Sequence, residues 1–104
     1  METLKEKIDY AAEQFGAEAT SNQLIEEMAE LTKALCKMNR FKGLGMPPAK
    51  EHTEATLTDD IIEELADVMV TLEQMIHLMD VEIDIADIIE FKMKRTYDRM
   101  GWVE

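Results

Sequence analysis

Apolar residues recur at three- and four-residue steps along most of the chain, the spacing of one face of a helix. The gaps divide the pattern into four segments. The first runs from about Glu2 to Phe15 through Leu4, Ile8, Ala11 and Phe15, and Gly16 is placed to end it. Thr20 followed by Gln23 has capping-box spacing and predicts a second helix to about Met38, with the stripe Leu24, Met28, Leu31 and Leu35. From Asn39 to Leu57 the pattern stops. Gly43, Gly45, Pro47 and Pro48 break helix there, so this stretch is expected to be a loop, long enough to suggest a functional one. A third helix is expected from Thr56 or Thr58 to Met79, with Asp59 and Asp60 at its positive end and the stripe Ile61, Leu65, Val68, Leu72, Met75 and Met79. After a break at Asp80 to Asp84 comes a fourth, from about Ile85 to Met100, packing through Ile85, Ile89, Met93 and Thr96 and stopped by Gly101. Four amphipathic helices in 104 residues predict an all-α, four-helix bundle-like fold in a single domain spanning 1–104.

Composition supports helix: Ala, Leu, Met, Glu and Lys abound, and these side chains lose little freedom in one. Nine methionines predict an adaptable interior, and Trp102 is expected at a bundle or subunit end. The apolar runs fall far short of the roughly 20 residues that span a bilayer. The opening METLKEKIDY is charged where a signal peptide is apolar, so a cytoplasmic location without membrane contact is expected. Cys36 has no second cysteine to pair with and is expected in the helical packing. The formal charge of −12 disfavours nucleic acid as a partner, because phosphate backbones would be repelled. The same charge, where concentrated, is suited to a divalent cation.

The acids are concentrated in a repeat. Leu24-Ile25-Glu26-Glu27-Met28-Ala29-Glu30-Leu31 recurs 37 residues later as Ile61-Ile62-Glu63-Glu64-Leu65-Ala66-Asp67-Val68, each position identical or chemically close. At about 100° per residue, Glu27 lies about 60° to one side of its stripe and Glu30 about 120° to the same side. Glu64 and Asp67 repeat those offsets. Antiparallel packing of the two helices would gather all four carboxylates along one edge by a local two-fold. Four anions so placed repel by several kcal/mol in a partly desolvated site, and a cation removes that repulsion. Oxygen donors without histidine or thiolate suit Mg²⁺ or Mn²⁺ over zinc.

Lys92, Arg95 and Arg99 share one side of the fourth helix, where they either grip phosphate oxygens or complement the helix dipole. His52 and His77 do not form the Glu-x-x-His pairing of di-iron bundles. Gly43-Leu44-Gly45 lacks the rest of any phosphate-binding glycine motif.

EEMAE (Glu26 to Glu30) followed by EELAD (Glu63 to Asp67) resembles the signature of the MazG-like all-α nucleoside triphosphate pyrophosphohydrolases, Glu-x-x-Glu then Glu-x-x-Asp. The resemblance extends from Phe15 to Arg99 and includes a late basic segment, Lys92-Met93-Lys94-Arg95. The spacer from Leu31 to Glu63 is longer than the family usually carries, and the base-contacting residues of its better-studied branches have no clear equivalents here. The resemblance implies hydrolysis of a nucleoside triphosphate to the monophosphate and pyrophosphate. It implies Mg²⁺ (or Mn²⁺) held by Glu27, Glu30, Glu64 and Asp67, with Lys92 and Arg95 on phosphate oxygens. Glu26 or Glu63 would take the water's proton, and Phe15, Asn22 and Gln23 would lie near the base. Members of the family are usually homodimers or homotetramers, as a short chain in need of more core would be. Two other functions fit the same acids: a non-enzymatic helical module binding a basic partner, and a phosphoribosyl-ATP pyrophosphohydrolase.

Overall fold

The computed structural model describes residues 2–43 and 53–101. The fold is all-α and bundle-like: the described residues form four helices and no strand. They are α1 (Leu4–Phe15), α2 (Ala17–Gly43), α3 (Glu54–Met79) and α4 (Glu82–Arg99). No helix among them is long and apolar enough to cross a membrane. His52, Gly45, Pro47, Pro48 and Trp102 lie outside the described residues.

The ends of the elements follow from local chemistry. Thr3 caps α1 by accepting the Glu6 N–H at 3.1 Å. Gly16 ends it with φ 84°, donating its N–H to the Ala12 carbonyl, and this glycine forms the whole corner between α1 and α2. Consequently α2 starts three residues before the expected Thr20. The Thr20 N–H bonds the Gly16 carbonyl at 3.0 Å, and its side chain is buried in the helix interface instead of capping. The expected loop is shorter at both ends. Helix α2 continues to Gly43, and Thr53 caps α3 in a reciprocal box with Thr56, so 39–43 and 54–57 are helical. Asp80 ends α3 in the left-handed region (φ 54°, ψ 47°). Its N–H bonds the His77 carbonyl and the Val81 N–H bonds that of Ile76, the Schellman arrangement that turns the chain into α4.

Helices α2 and α3 pack most extensively, and they run antiparallel: Lys42 pairs with Glu54 at one end, while Glu27 meets Asp67 further along. Their seam is rotated from the stripes of the hydrophobic pattern. On α2 the residues turned inward are Thr20, Leu24, Glu27, Leu31, Ala34 and Met38; on α3 they are Leu57, Ile61, Glu64, Val68, Thr71 and Met75. Each α3 residue is the repeat partner of its α2 counterpart. The rotation is about 60° toward the acids. It leaves Met28 and Leu35 on α2, and Leu65 and Leu72 on α3, more than 40% exposed. Cys36 is exposed too, because it lies about 200° around the helix from the buried Ala34.

Helix α1 lies across α3 and, less extensively, α2. Ala12 is fully buried there, and His77 sits between two α1 carboxylates, with Nε2 2.8 Å from Glu13 and Nδ1 3.5 Å from Asp9. Lys5 bridges Asp9 to Glu82 at the start of α4. Beyond its first turn α4 barely touches the other helices. Ile85 is half-buried, whereas Ile89, Met93 and Thr96, expected to pack, are exposed with Ile88 and Phe91.

Because the Thr53 hydroxyl holds the first turn of α3, Thr53→Ala is expected to cost about 1 kcal/mol. Thermal melts should show Tm lower by about 4–8 °C, with Thr53→Ser restoring most of it.

Candidate metal centre

The rotated seam places two glutamates where a helical pair ordinarily carries apolar residues. Glu27 and Glu64 occupy equivalent inward positions, each half-buried, with leucine, isoleucine or valine one turn away on either side. Asp67, one turn beyond Glu64, reaches the same place from the exposed side. Glu27, Glu64 and Asp67 each present a carboxylate oxygen within 4.8 Å of the others. Among the described residues this is the group of side chains spaced to share one cation.

The arrangement costs the protein electrostatically. Glu64 is pushed above the ordinary carboxylate range, first because packing strips it of water, then by the negative charges of Asp67, Glu27, Glu30 and Glu63. Glu27 is steadied by a hydrogen bond from the Gln23 amide, one turn earlier on α2. The donor set is all carboxylate, with neither imidazole nor thiolate. Such a set fits a hard divalent ion that prefers oxygen.

Of the four acids singled out by the repeat, three meet. Glu30 is exposed and stands outside the triad, although its charge acts on Glu64. It lines an open cleft of about 230 Å³ beside the triad, together with Lys33 and Lys37 on α2 and Asp60 and Glu64 across the seam. Lys92 and Arg95 belong to neither cleft nor triad. Both are exposed on α4, where Arg95 stacks 6.0 Å above the Phe91 ring. Glu26 and Glu63 are exposed on the flanks of the seam, and Asn22 and Phe15 are exposed near its other end. Lys33 and Lys37 were not among the candidates from sequence; the available signal was their cationic character within an acid-rich helix.

A raised pKa in the folded chain means that, without metal, stability falls as pH rises from the ordinary glutamate range through the folded pKa of Glu64, since the folded state then holds the extra proton. A cation that needs the carboxylate ionised acts in the opposite sense. Glu64→Gln is therefore expected to raise Tm at pH 7 in chelator and to abolish any rise on adding Mg²⁺ or Mn²⁺. In the wild-type chain the metal-induced rise should shrink on acidification from pH 7 to pH 5. Scanning calorimetry at the two pH values checks both signs. No family model, curated protein or solved structure matches this chain.

Proposed function

We propose that the chain is a metal-dependent nucleoside triphosphate pyrophosphohydrolase of the MazG-like kind, releasing the monophosphate and pyrophosphate. The observation that carries this is the meeting of Glu27, Glu64 and Asp67 at the seam of two antiparallel repeats. These are three of the four positions of the Glu-x-x-Glu, Glu-x-x-Asp signature that the sequence resembles. For Glu64 the influences on the pKa are loss of water and four neighbouring carboxylates, with no cation opposing them.

In this reading Glu27, Glu64 and Asp67 hold Mg²⁺, with Mn²⁺ as a substitute and Glu30 joining from one turn away. When bound, the ion supplies charge neutralisation at the phosphates and a lower pKa for the attacking water. Water adds to the α-phosphorus and the bond to the bridging oxygen toward the β-phosphorus breaks, so pyrophosphate leaves as one unit. Glu26 or Glu63, both exposed beside the triad, takes the proton released by the water. Fixed charges around the transferring group contribute most of the rate, as is usual in such reactions.

The reading includes a homodimer or homotetramer. Ile25, Met28 and Leu35 on α2, with Ile62, Leu65 and Leu72 on α3, form an exposed apolar face, and α4 adds Ile89 and Met93. A second copy of the chain covering these surfaces would bury them and bring a basic α4, with Lys92 and Arg95, near phosphates held at the acids.

Incubation with a panel of canonical and modified triphosphates plus Mg²⁺ should release pyrophosphate and no orthophosphate from at least one of them. Glu64→Gln and Asp67→Asn should each lower that rate by about 100-fold or more. Silence across the whole panel with both Mg²⁺ and Mn²⁺ would sink the proposal. Light scattering should give twice or four times the chain mass, and Leu65→Glu should shift it to that of one chain.

A further inference from the structure

The α2/α3 repeat is nearly symmetric around the acids, and its largest departure from symmetry lies on one side of them. Lys33 and Lys37 on α2 occupy the positions that Val70 and Gln74 fill on α3. The antiparallel packing therefore gives the triad two unlike ends. One end is the cleft lined by Glu30, Lys33, Lys37, Asp60 and Glu64. The symmetry-equivalent positions at the other end carry Asp67, Val70, Gln74, Gln23 and Glu27, with no cation among them.

The two lysines are placed at some cost. They stand one turn apart, a spacing at which like charges repel by a few tenths of a kcal/mol. Although Glu30, Asp60 and Glu64 line the same cleft, neither lysine forms an ion pair or a hydrogen bond among the described residues. Lys5, Lys42 and Lys94 do, while Lys7 and Lys92, which do not line this cleft, are likewise without one. Lys37 is moreover half-buried. Two lysines without a protein partner line one cleft, which leaves their ammonium donors free for an anion. At about 230 Å³ the cleft is smaller than the roughly 300–1,000 Å³ that encloses a drug-sized ligand, which matches a compact polyanion rather than a whole nucleotide.

We infer that Lys33 and Lys37 form the subsite for the terminal phosphates, the part that departs as pyrophosphate, so that a bound triphosphate points its tail along α2 toward Lys37 and its nucleoside toward the Gln23 and Gln74 end. This rests on the pyrophosphohydrolase reading of the triad, but it assigns residues that the family signature does not mark. Lys33 and Lys37 lie on the same helix as Glu27 and Glu30, so the subsite is complete within one chain.

The test is calorimetric titration of the whole chain, first with Mn²⁺ alone and then, at saturating Mn²⁺, with inorganic pyrophosphate. The double variant Lys33→Met/Lys37→Met is compared with Lys33→Arg/Lys37→Arg and with Lys5→Met/Lys7→Met, which removes two cations on α1. The Met variant at the cleft should bind Mn²⁺ at least as well as wild type and pyrophosphate at least about tenfold more weakly. The Arg variant should restore most of the affinity, and the distant pair should leave it unchanged. Pyrophosphate affinity that is unaltered in the cleft variant, or equally reduced in the distant one, overturns the subsite while leaving the metal reading intact. Wild-type chain that takes Mn²⁺ but no pyrophosphate overturns it as well. If wild type takes no Mn²⁺, the metal reading itself fails, and the first titration records that separately.

Discussion

The packing of α2 against α3 forces like charges together, and the rest of the molecule is arranged around that contact. An antiparallel helix pair is most stable with apolar residues along its whole seam. This one has Glu27 and Glu64 in the middle of theirs, with Asp67 beside them. Leu24, Leu31, Ile61 and Val68 flank the acids, and the buried Leu57, Ala34 and Met38 hold the seam further along. Apolar packing on either side of the acids, extended at one end by Leu57, Ala34 and Met38, opposes repulsion at the centre. The raised pKa of Glu64 records both the loss of water on packing and, after it, the neighbouring carboxylates.

The rotation that turns the glutamates inward also turns apolar residues outward. If Met28, Leu35, Leu65 and Leu72 had taken the centre of the seam, Glu27 and Glu64 would have been solvated and too far apart to share an ion. Instead the apolar stripes stand at the edge of the pair, available to a further surface. Helix α4 is in the same condition, with its amphipathic pattern intact and little of it covered. Helix α1 closes only part of the body, held by Ala12 and by the carboxylates on either side of His77. Those pairs are partly solvated, and pairs of that kind contribute up to about 1 kcal/mol each.

At the proposed site the symmetry of the repeat and its breaking have separate effects. Symmetry gathers carboxylates from both helices to one point. Its breaking at Lys33 and Lys37 gives that point a direction, with cationic character on one side and amides on the other. A substrate with a polyanionic tail and an uncharged head is polarised in the same way.

The number and type of the elements were legible in the sequence because hydrophobic period and turn chemistry are local. Gly16, the Asp80 region and Gly101 mark real ends. The acids were legible because they recur in a duplicated segment. What one chain of residues could not fix was rotation about the helix axis, since an amphipathic stripe names an apolar face without naming the neighbour that covers it. That is why Leu35, Cys36 and Met93, expected in the packing, are exposed. Thr20, expected to cap, lies inside a helix that Gly16 starts earlier. Only the packed seam decided that Glu30 stands apart from Glu27, Glu64 and Asp67. It also placed Lys33 and Lys37 beside them and left Lys92 and Arg95 outside both triad and cleft, because each of these depends on contacts between distant segments.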